Sequence, residues 1–192
     1  MSSRSFPLLF LLFLLLLPVI SSCNSEVRRI RQTLAAFEKT AIVLPQDMLY
    51  VKDGERGFGY QETPGPKLVY YVDSSECTSC AISHLNVFDP VFDWADSLQT
   101  FSVIIILSPK EEDQHKALLD LEMFPFKEIV YVDVNGSFMH SNPSIPSESR
   151  YHCFLIDENG YPFFVGNPLA GDKIRSVFFE SLDKYIVGSG RS

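Results

Sequence analysis

The sequence predicts an α/β domain built on a central mixed sheet with helices on both faces. Two continuous apolar runs, residues 67–72 and 101–107, are typical of strands that are covered on both faces. A turn signal at residues 158–160 separates two further apolar runs and predicts an antiparallel hairpin. The predicted order is adjacent parallel strands joined by helices, then the hairpin, then a final helix over residues 172–186. This order gives a mixed sheet with helices on both faces.

The other elements follow from the same patterns of apolar spacing and turn residues. Pro90 interrupts one helical pattern, and we expect a kink or a break of the helix there. The predicted helices cover residues 27–41, 81–98 and 110–123, and the predicted strands cover residues 42–44, 48–51, 129–134, 151–157 and 161–165.

The N-terminal segment, residues 1–22, has the features of a secretory signal. Its apolar run of about 15 residues is shorter than the ~20 that a membrane-spanning helix needs. The residues Ile20-Ser21-Ser22-Cys23 resemble the bacterial lipobox. That resemblance implies an acylated Cys23 as the first residue of a lipoprotein attached to the envelope of a Gram-negative-type bacterium, facing the periplasm. The alternative is an ordinary signal with a chance cysteine.

The predicted organisation is therefore a signal peptide (1–22), a lipid-anchored tether with a short helix (23–41) and one folded domain (42–192). The chain carries 16 Lys and Arg against 24 Asp and Glu, a formal net charge of −8, and it has no basic patch. A nucleic-acid partner is accordingly not expected.

The motif Cys77-Thr78-Ser79-Cys80 follows the first buried strand and opens a predicted helix. The helix dipole and the free backbone N–H groups at such a position favour a thiolate on the first cysteine. The motif is a candidate redox centre, although half of a zinc site has the same spacing. Three cysteines follow Cys23, namely Cys77, Cys80 and Cys153, which is an odd number. The predicted secretory signal would place them in a compartment where disulfides can persist.

The element order with this motif at the first strand-to-helix junction resembles the thioredoxin fold. The stretch Phe154–Gly160, followed by Val165–Pro168, is similar to the hairpin of membrane-anchored thioredoxin-like proteins, which include the peroxiredoxin-like and cytochrome-maturation reductase branches. Ser108-Pro109 and residues 146–150 resemble a sub-branch of bacterial lipoproteins. The resemblance covers roughly residues 42–187 and makes the expected fold class thioredoxin-like.

The resemblance implies thiol–disulfide exchange with protein thiols and disulfides of the envelope. Cys77 would be the attacking thiolate and Cys80 the resolving thiol, and no cofactor is expected. The protein would be attached to the membrane through its N-terminal lipid.

Three departures from the thioredoxin pattern bear on the chemistry. Glu76 precedes Cys77 and disfavours its thiolate by like-charge repulsion, which favours a role as a reductant. Tyr71 stands where thioredoxins have a buried acid, so that Asp73 and Glu76 are the nearest possible proton acceptors. The residues that enter the hairpin, 151–153, include no proline where the family has its cis-proline.

Several single residues leave alternatives open. Cys153 is either a core residue or a third thiol that faces the motif and accepts its disulfide. We assign no metal site from the sequence. The alternative functions are a Cu/Zn-binding module, in which Cys77 and Cys80 act with His84 or His152, and a binding protein that keeps the fold without catalysis.

Overall fold

The computed structural model describes residues 26–124 and 126–189, so that the predicted signal peptide and Cys23 lie outside the described residues. The chain divides into two compact units, the first ending at Phe37 and the second beginning at Glu38. The described part of the first unit is helix α1, residues 26–37. Within the described ranges, none of the helices is both long enough and apolar enough to cross a membrane.

The described part of the second unit opens with three strands and continues as a mixture of helices and strands. Three short 3₁₀ turns, at Leu85–Phe88, Glu111–Asp113 and Ser149–Tyr151, lie between them. The elements are β1 (Leu49–Lys52), β2 (Glu55–Phe58), β3 (Lys67–Val72), α2 (Thr78–Ser83), α3 (Asp89–Leu98), β4 (Ser102–Leu107), α4 (Gln114–Met123), β5 (Val130–Val132), α5 (Ser137–Ser141), β6 (Cys153–Ile156), β7 (Pro162–Val165) and α6 (Asp172–Ser189).

The strands form one mixed sheet in the order β2-β1-β5-β4-β3-β6-β7. Strand β3 lies parallel to β4, and β4 lies parallel to β5, whereas β6 runs antiparallel to β3. The β6–β7 pair is the predicted antiparallel hairpin. The carboxyl ends of the three parallel strands therefore meet at one edge of the sheet, where ligand sites of α/β proteins commonly lie.

Helices cover both faces of the sheet, as predicted. Alternate residues of β3 point to opposite faces. Leu68 and Val72 lie on one face, in core clusters that include residues of α2, α3, α4 and α6. Tyr71 lies on the other face, and its ring centroid is 4.9 Å from that of Phe138 in α5. The prediction of a mixed α/β sheet between two helical layers is confirmed.

The predicted break at Pro90 is confirmed. Helix α2 ends at Ser83, a 3₁₀ turn follows, and α3 begins at Asp89 with Pro90 in its first turn. Proline is tolerated there because an N–H group in the first turn has no partner within the helix.

The predicted strand at residues 42–44 is wrong, because a side chain takes the place of a neighbouring strand. The Val43 N–H donates to Oδ1 of Asn142 (2.7 Å), and Nδ2 of Asn142 donates to the Val43 carbonyl (2.8 Å). The buried amide of Asn142 thus satisfies both backbone groups of Val43 without a sheet partner.

Candidate redox site

The two cysteines of the motif lie where the interior strand β3 ends and α2 begins. Cys77 is the N-cap of α2, and the structure joins it to Cys80 by a disulfide with a Cα–Cα distance of 5.2 Å. The Cys80 N–H donates to Sγ of Cys77 at 3.3 Å. Cys80 lies within the first turn of the helix, as predicted, and both cysteines are exposed. The disulfide is accessible to a partner from solvent.

Helix α4 contacts Ser79, one of the two residues between the cysteines. The Ser79 hydroxyl donates to Oδ2 of Asp120 (3.2 Å) and accepts from Nζ of Lys116 (3.1 Å). Lys116 and Asp120 also form an ion pair with each other, one turn apart on α4. This network fixes the motif to the neighbouring helix and places a cation next to it.

The two predicted proton acceptors lie on the loop between β3 and α2. Asp73 accepts the Ser75 N–H through Oδ1 (2.6 Å), and Glu76 accepts the Asp73 N–H through Oε1 (3.4 Å). Both carboxylates also approach His152, whose Nδ1 lies 3.9 Å from Asp73 Oδ2 and 3.9 Å from Glu76 Oε1. Their role as proton acceptors stays a prediction.

His152 occupies the position directly before β6, where the family resemblance places a proline. Its side chain is 1% exposed. Its carbonyl accepts the Tyr71 N–H (2.9 Å), and its ring centroid lies 5.2 Å from that of Tyr71. Among the described residues no peptide bond is cis. A buried imidazole therefore borders the loop that carries Asp73 and Glu76.

Cys153 lies in β6 opposite Tyr70 of β3. The residue is 3% exposed and belongs to a core cluster with Leu68 and Phe88. Burial raises the pKa of this thiol far above its ordinary value. The structure thus places Cys153 in the core, and its role as an acceptor of the disulfide stays a prediction.

Alkylation of the reduced, folded protein is expected to discriminate between the three thiols. A raised pKa and burial both lower the thiolate concentration that a reagent can reach, so at pH 8 Cys153 should react at least about a hundredfold more slowly than Cys77. Mass spectrometry of iodoacetamide-treated protein measures the order of labelling, and unfolding in denaturant should equalise the rates. Rapid labelling of Cys153 in the native state would contradict its place in the core.

The sequence did not reveal the buried acid Asp133, which directly follows β5. Asp133 is 2% exposed and accepts the N–H groups of Ser137 and Phe138 (both 2.9 Å) at the start of α5. Oδ2 of Asp133 also accepts the Ser108 hydroxyl (3.2 Å). Burial raises the pKa of the nearby Tyr71 to about 12. These contacts give Asp133 a structural role at the end of the sheet.

His84 is anchored on its own helix. Its Nδ1 lies 2.8 Å from the Cys80 carbonyl and 3.1 Å from the Ser83 hydroxyl. Because a carbonyl only accepts, Nδ1 carries the hydrogen in that bond. In the described part of the chain the three-residue cluster suited to a metal consists of Asp73, Glu76 and His152, and it contains neither His84 nor a cysteine.

A cleft of about 600 Å³ opens at the carboxyl ends of β3, β4 and β5. Its walls are the segments that follow these strands, and they include Asp73, Ser75, Lys110 and Asn135. Because residues 73–75 lead into the motif, the cleft reaches the same loop that carries Cys77.

Fold and site together define an α/β protein of thioredoxin-like arrangement, in which a parallel β-α-β unit precedes an antiparallel hairpin. The first cysteine of the pair caps the helix that follows the interior strand β3. No family model matches the chain, and no curated protein matches it. Among solved structures, the chain is similar to an uncharacterized thioredoxin-like protein from Porphyromonas gingivalis, whose solution structure is known. The two share 16% identity with a TM-score of 0.46, over 80% of this chain and 97% of the other.

Proposed function

We propose that this protein exchanges disulfides with protein substrates through Cys77 and Cys80. The observation that carries the proposal is the exposed cysteine pair, at disulfide distance, at the junction of β3 and α2. A purely structural bridge across so short a loop would stabilise the fold little, since closing a small loop removes little chain entropy.

The reaction proceeds in two thiol–disulfide exchanges. The Cys77 thiolate attacks one sulfur of a substrate disulfide, forms a mixed disulfide and releases the other substrate sulfur as a thiolate. The Cys80 thiolate then attacks Sγ of Cys77, which closes the Cys77–Cys80 disulfide and releases the second substrate sulfur. Two electrons pass to the substrate, and Asp73 or Glu76 takes up the proton that Cys80 loses. A further thiol protein of the envelope restores the reduced pair.

Two local contacts support Cys77 as the attacking sulfur. Its Sγ lies at the start of α2 and accepts the Cys80 N–H, an arrangement that stabilises negative charge on sulfur. Glu76 acts in the opposite direction because its carboxylate repels a thiolate on the next residue. The balance favours a reductant over a strong oxidant, whose thiolate would be more stable.

The proposed location is the periplasmic face of a bacterial membrane. The secretory features of residues 1–22 and the lipobox-like sequence ending at Cys23 support it. Several acyl chains, each contributing about 0.8 kcal/mol per buried CH₂, would hold the protein on the bilayer. In the chain, helix α1 follows Cys23 and precedes the folded domain.

Trapping in the native envelope tests this function and identifies the substrate. In a Cys80→Ala variant the mixed disulfide cannot resolve, so we expect adducts through Cys77 that non-reducing electrophoresis detects and a reductant releases. A variant that lacks both cysteines of the motif is the control and should give none of them. The same adducts with the double variant, or none with Cys80→Ala, would contradict the proposal.

A further inference from the structure

We propose that Asp73, Glu76 and His152 form a binding site for one divalent transition-metal cation such as Zn²⁺. One imidazole nitrogen and two carboxylate oxygens from these residues lie within 4.8 Å of one another. The first two residues belong to the loop after β3, and the third directly precedes β6, so the pairing of β3 with β6 brings them together. The proposal does not depend on the redox function.

The strongest indication is an unpartnered nitrogen in the core. Nε2 of His152 lies 2.9 Å from the Pro146 carbonyl and must donate, because a carbonyl has no hydrogen to offer. Nδ1 is fully buried and has no hydrogen-bond partner. Metal-binding histidines commonly donate their other ring N–H to a backbone carbonyl, which orients the free nitrogen towards the ion. His152 is held in this way.

Among the described residues, the charged groups within 4 Å of Nδ1 are the carboxylates of Asp73 and Glu76. At 3.9 Å, both oxygens are too distant for a hydrogen bond from an N–H group. A lone pair that faces two anions without a cation or a proton between them is electrostatically unfavourable. A cation among the three atoms gives each of them a partner.

The spacing and the donor types indicate which ion would bind. Bonds of about 2.0–2.2 Å place two ligands of a tetrahedral zinc about 3.4 Å apart. The two oxygens would therefore each approach Nδ1 by about 0.5 Å from 3.9 Å, and the oxygens themselves, which lie within 4.8 Å of each other, would approach by about 1.4 Å at most. Glu76 has the freedom to do so, since its side chain is 35% exposed. Imidazole with carboxylates suits zinc and its neighbours better than magnesium or calcium, which prefer oxygen ligands alone.

Three protein ligands leave a further coordination position open to water or to another donor. With the cation bound, Asp73 and Glu76 are ligands and no longer the nearest proton acceptors for the cysteines. Binding and disulfide exchange can be measured separately, because the oxidised protein offers no free thiol from the motif.

The test uses the full chain purified in detergent, without a histidine tag and with the Cys77–Cys80 disulfide closed. Zn²⁺ is titrated in competition with a chromogenic chelator. We expect one equivalent to bind, and Asp73→Asn and Glu76→Gln each to weaken binding at least about tenfold. His152→Ala should abolish binding. Thermal unfolding shows whether this buried substitution impairs folding, and if it does, the two acid variants decide the test.

Matched controls are Asp183→Asn and His115→Ala, which remove the same groups from exposed helix positions and should leave binding unchanged. Cys77→Ser with Cys80→Ser should also retain it. Co²⁺ in place of Zn²⁺ should show d–d bands without an intense thiolate-to-metal band. Failure to bind Zn²⁺, binding unaffected by both acid variants, or a thiolate band would overturn the site. None of these results depends on whether the protein reduces disulfides.

Discussion

Replacing Cys77 by alanine is expected to reduce the rate of protein-disulfide reduction to the uncatalysed background. The attack on the substrate requires a sulfur at this position. Cys80 is also exposed, but it lies within α2, and its own backbone N–H donates to Sγ of Cys77 and so favours the thiolate there. Cys80→Ala should instead complete the first exchange and stop, leaving one substrate molecule bound through Cys77. Reduction of a disulfide-bonded model protein by the purified variants, followed under a thiol reductant, measures both effects.

Cys153→Ala is the matched control for these variants. The buried thiol lies in the core cluster on β6, so its removal should leave the reduction rate close to that of the wild type. A Cys77→Ala protein that keeps its activity would contradict the assignment of the attacking sulfur. Loss of activity in a folded Cys153→Ala protein would instead establish the third thiol as part of the reaction.

Replacing Phe178 by alanine is expected to lower the free energy of unfolding by about 3–5 kcal/mol. Phe178 of α6 is 0% exposed, and its ring contacts bring together three parts of the fold. Its ring centroid lies 5.4 Å from that of Phe101 before β4, 5.5 Å from that of Phe164 in β7 and 6.3 Å from that of Trp94 in α3. Truncation removes these contacts and leaves a cavity beneath α6.

Denaturant unfolding measures this loss, and Phe58→Ala is its control. Phe58 in the edge strand β2 is 67% exposed, so the same substitution there should change the free energy of unfolding by less than about 1 kcal/mol. Equal effects at the two positions would contradict the packing of α6 on the sheet. Phe178→Ala should leave the chemistry of the motif intact in the fraction of molecules that remains folded.

The central part of the fold could be predicted because its signals are local. The apolar runs at β3 and β4 have no competing interpretation, and the hairpin between β6 and β7 turns at Gly160, whose φ of +86° favours glycine. Strand β2 was missed because Glu55–Phe58 is polar, short and at the edge of the sheet. The Asp53-Gly54 pair, with φ of 50° and 79°, is the hairpin signal that could have found it.

The site could be predicted only in part. Sequence spacing is enough to pair Cys77 with Cys80, because they are three residues apart on one helix turn. The contact of His152 with Asp73 and Glu76 joins segments more than 70 positions apart and depends on the register of β3 with β6. The sequence also gave no sign that a buried amide, Asn142, would replace a strand beside Val43. Such contacts follow from tertiary packing and leave no periodic pattern in the chain.

The central claim is that the Cys77–Cys80 pair exchanges its disulfide with other proteins. The most direct measurement mixes the reduced protein with a disulfide-bonded protein, quenches the mixture with acid at intervals and follows both disulfides by mass spectrometry. We predict that the Cys77–Cys80 disulfide forms at the rate at which the substrate disulfide disappears, one for one. A Cys77–Cys80 pair that stays reduced while an authentic thioredoxin exchanges under the same conditions would contradict the claim.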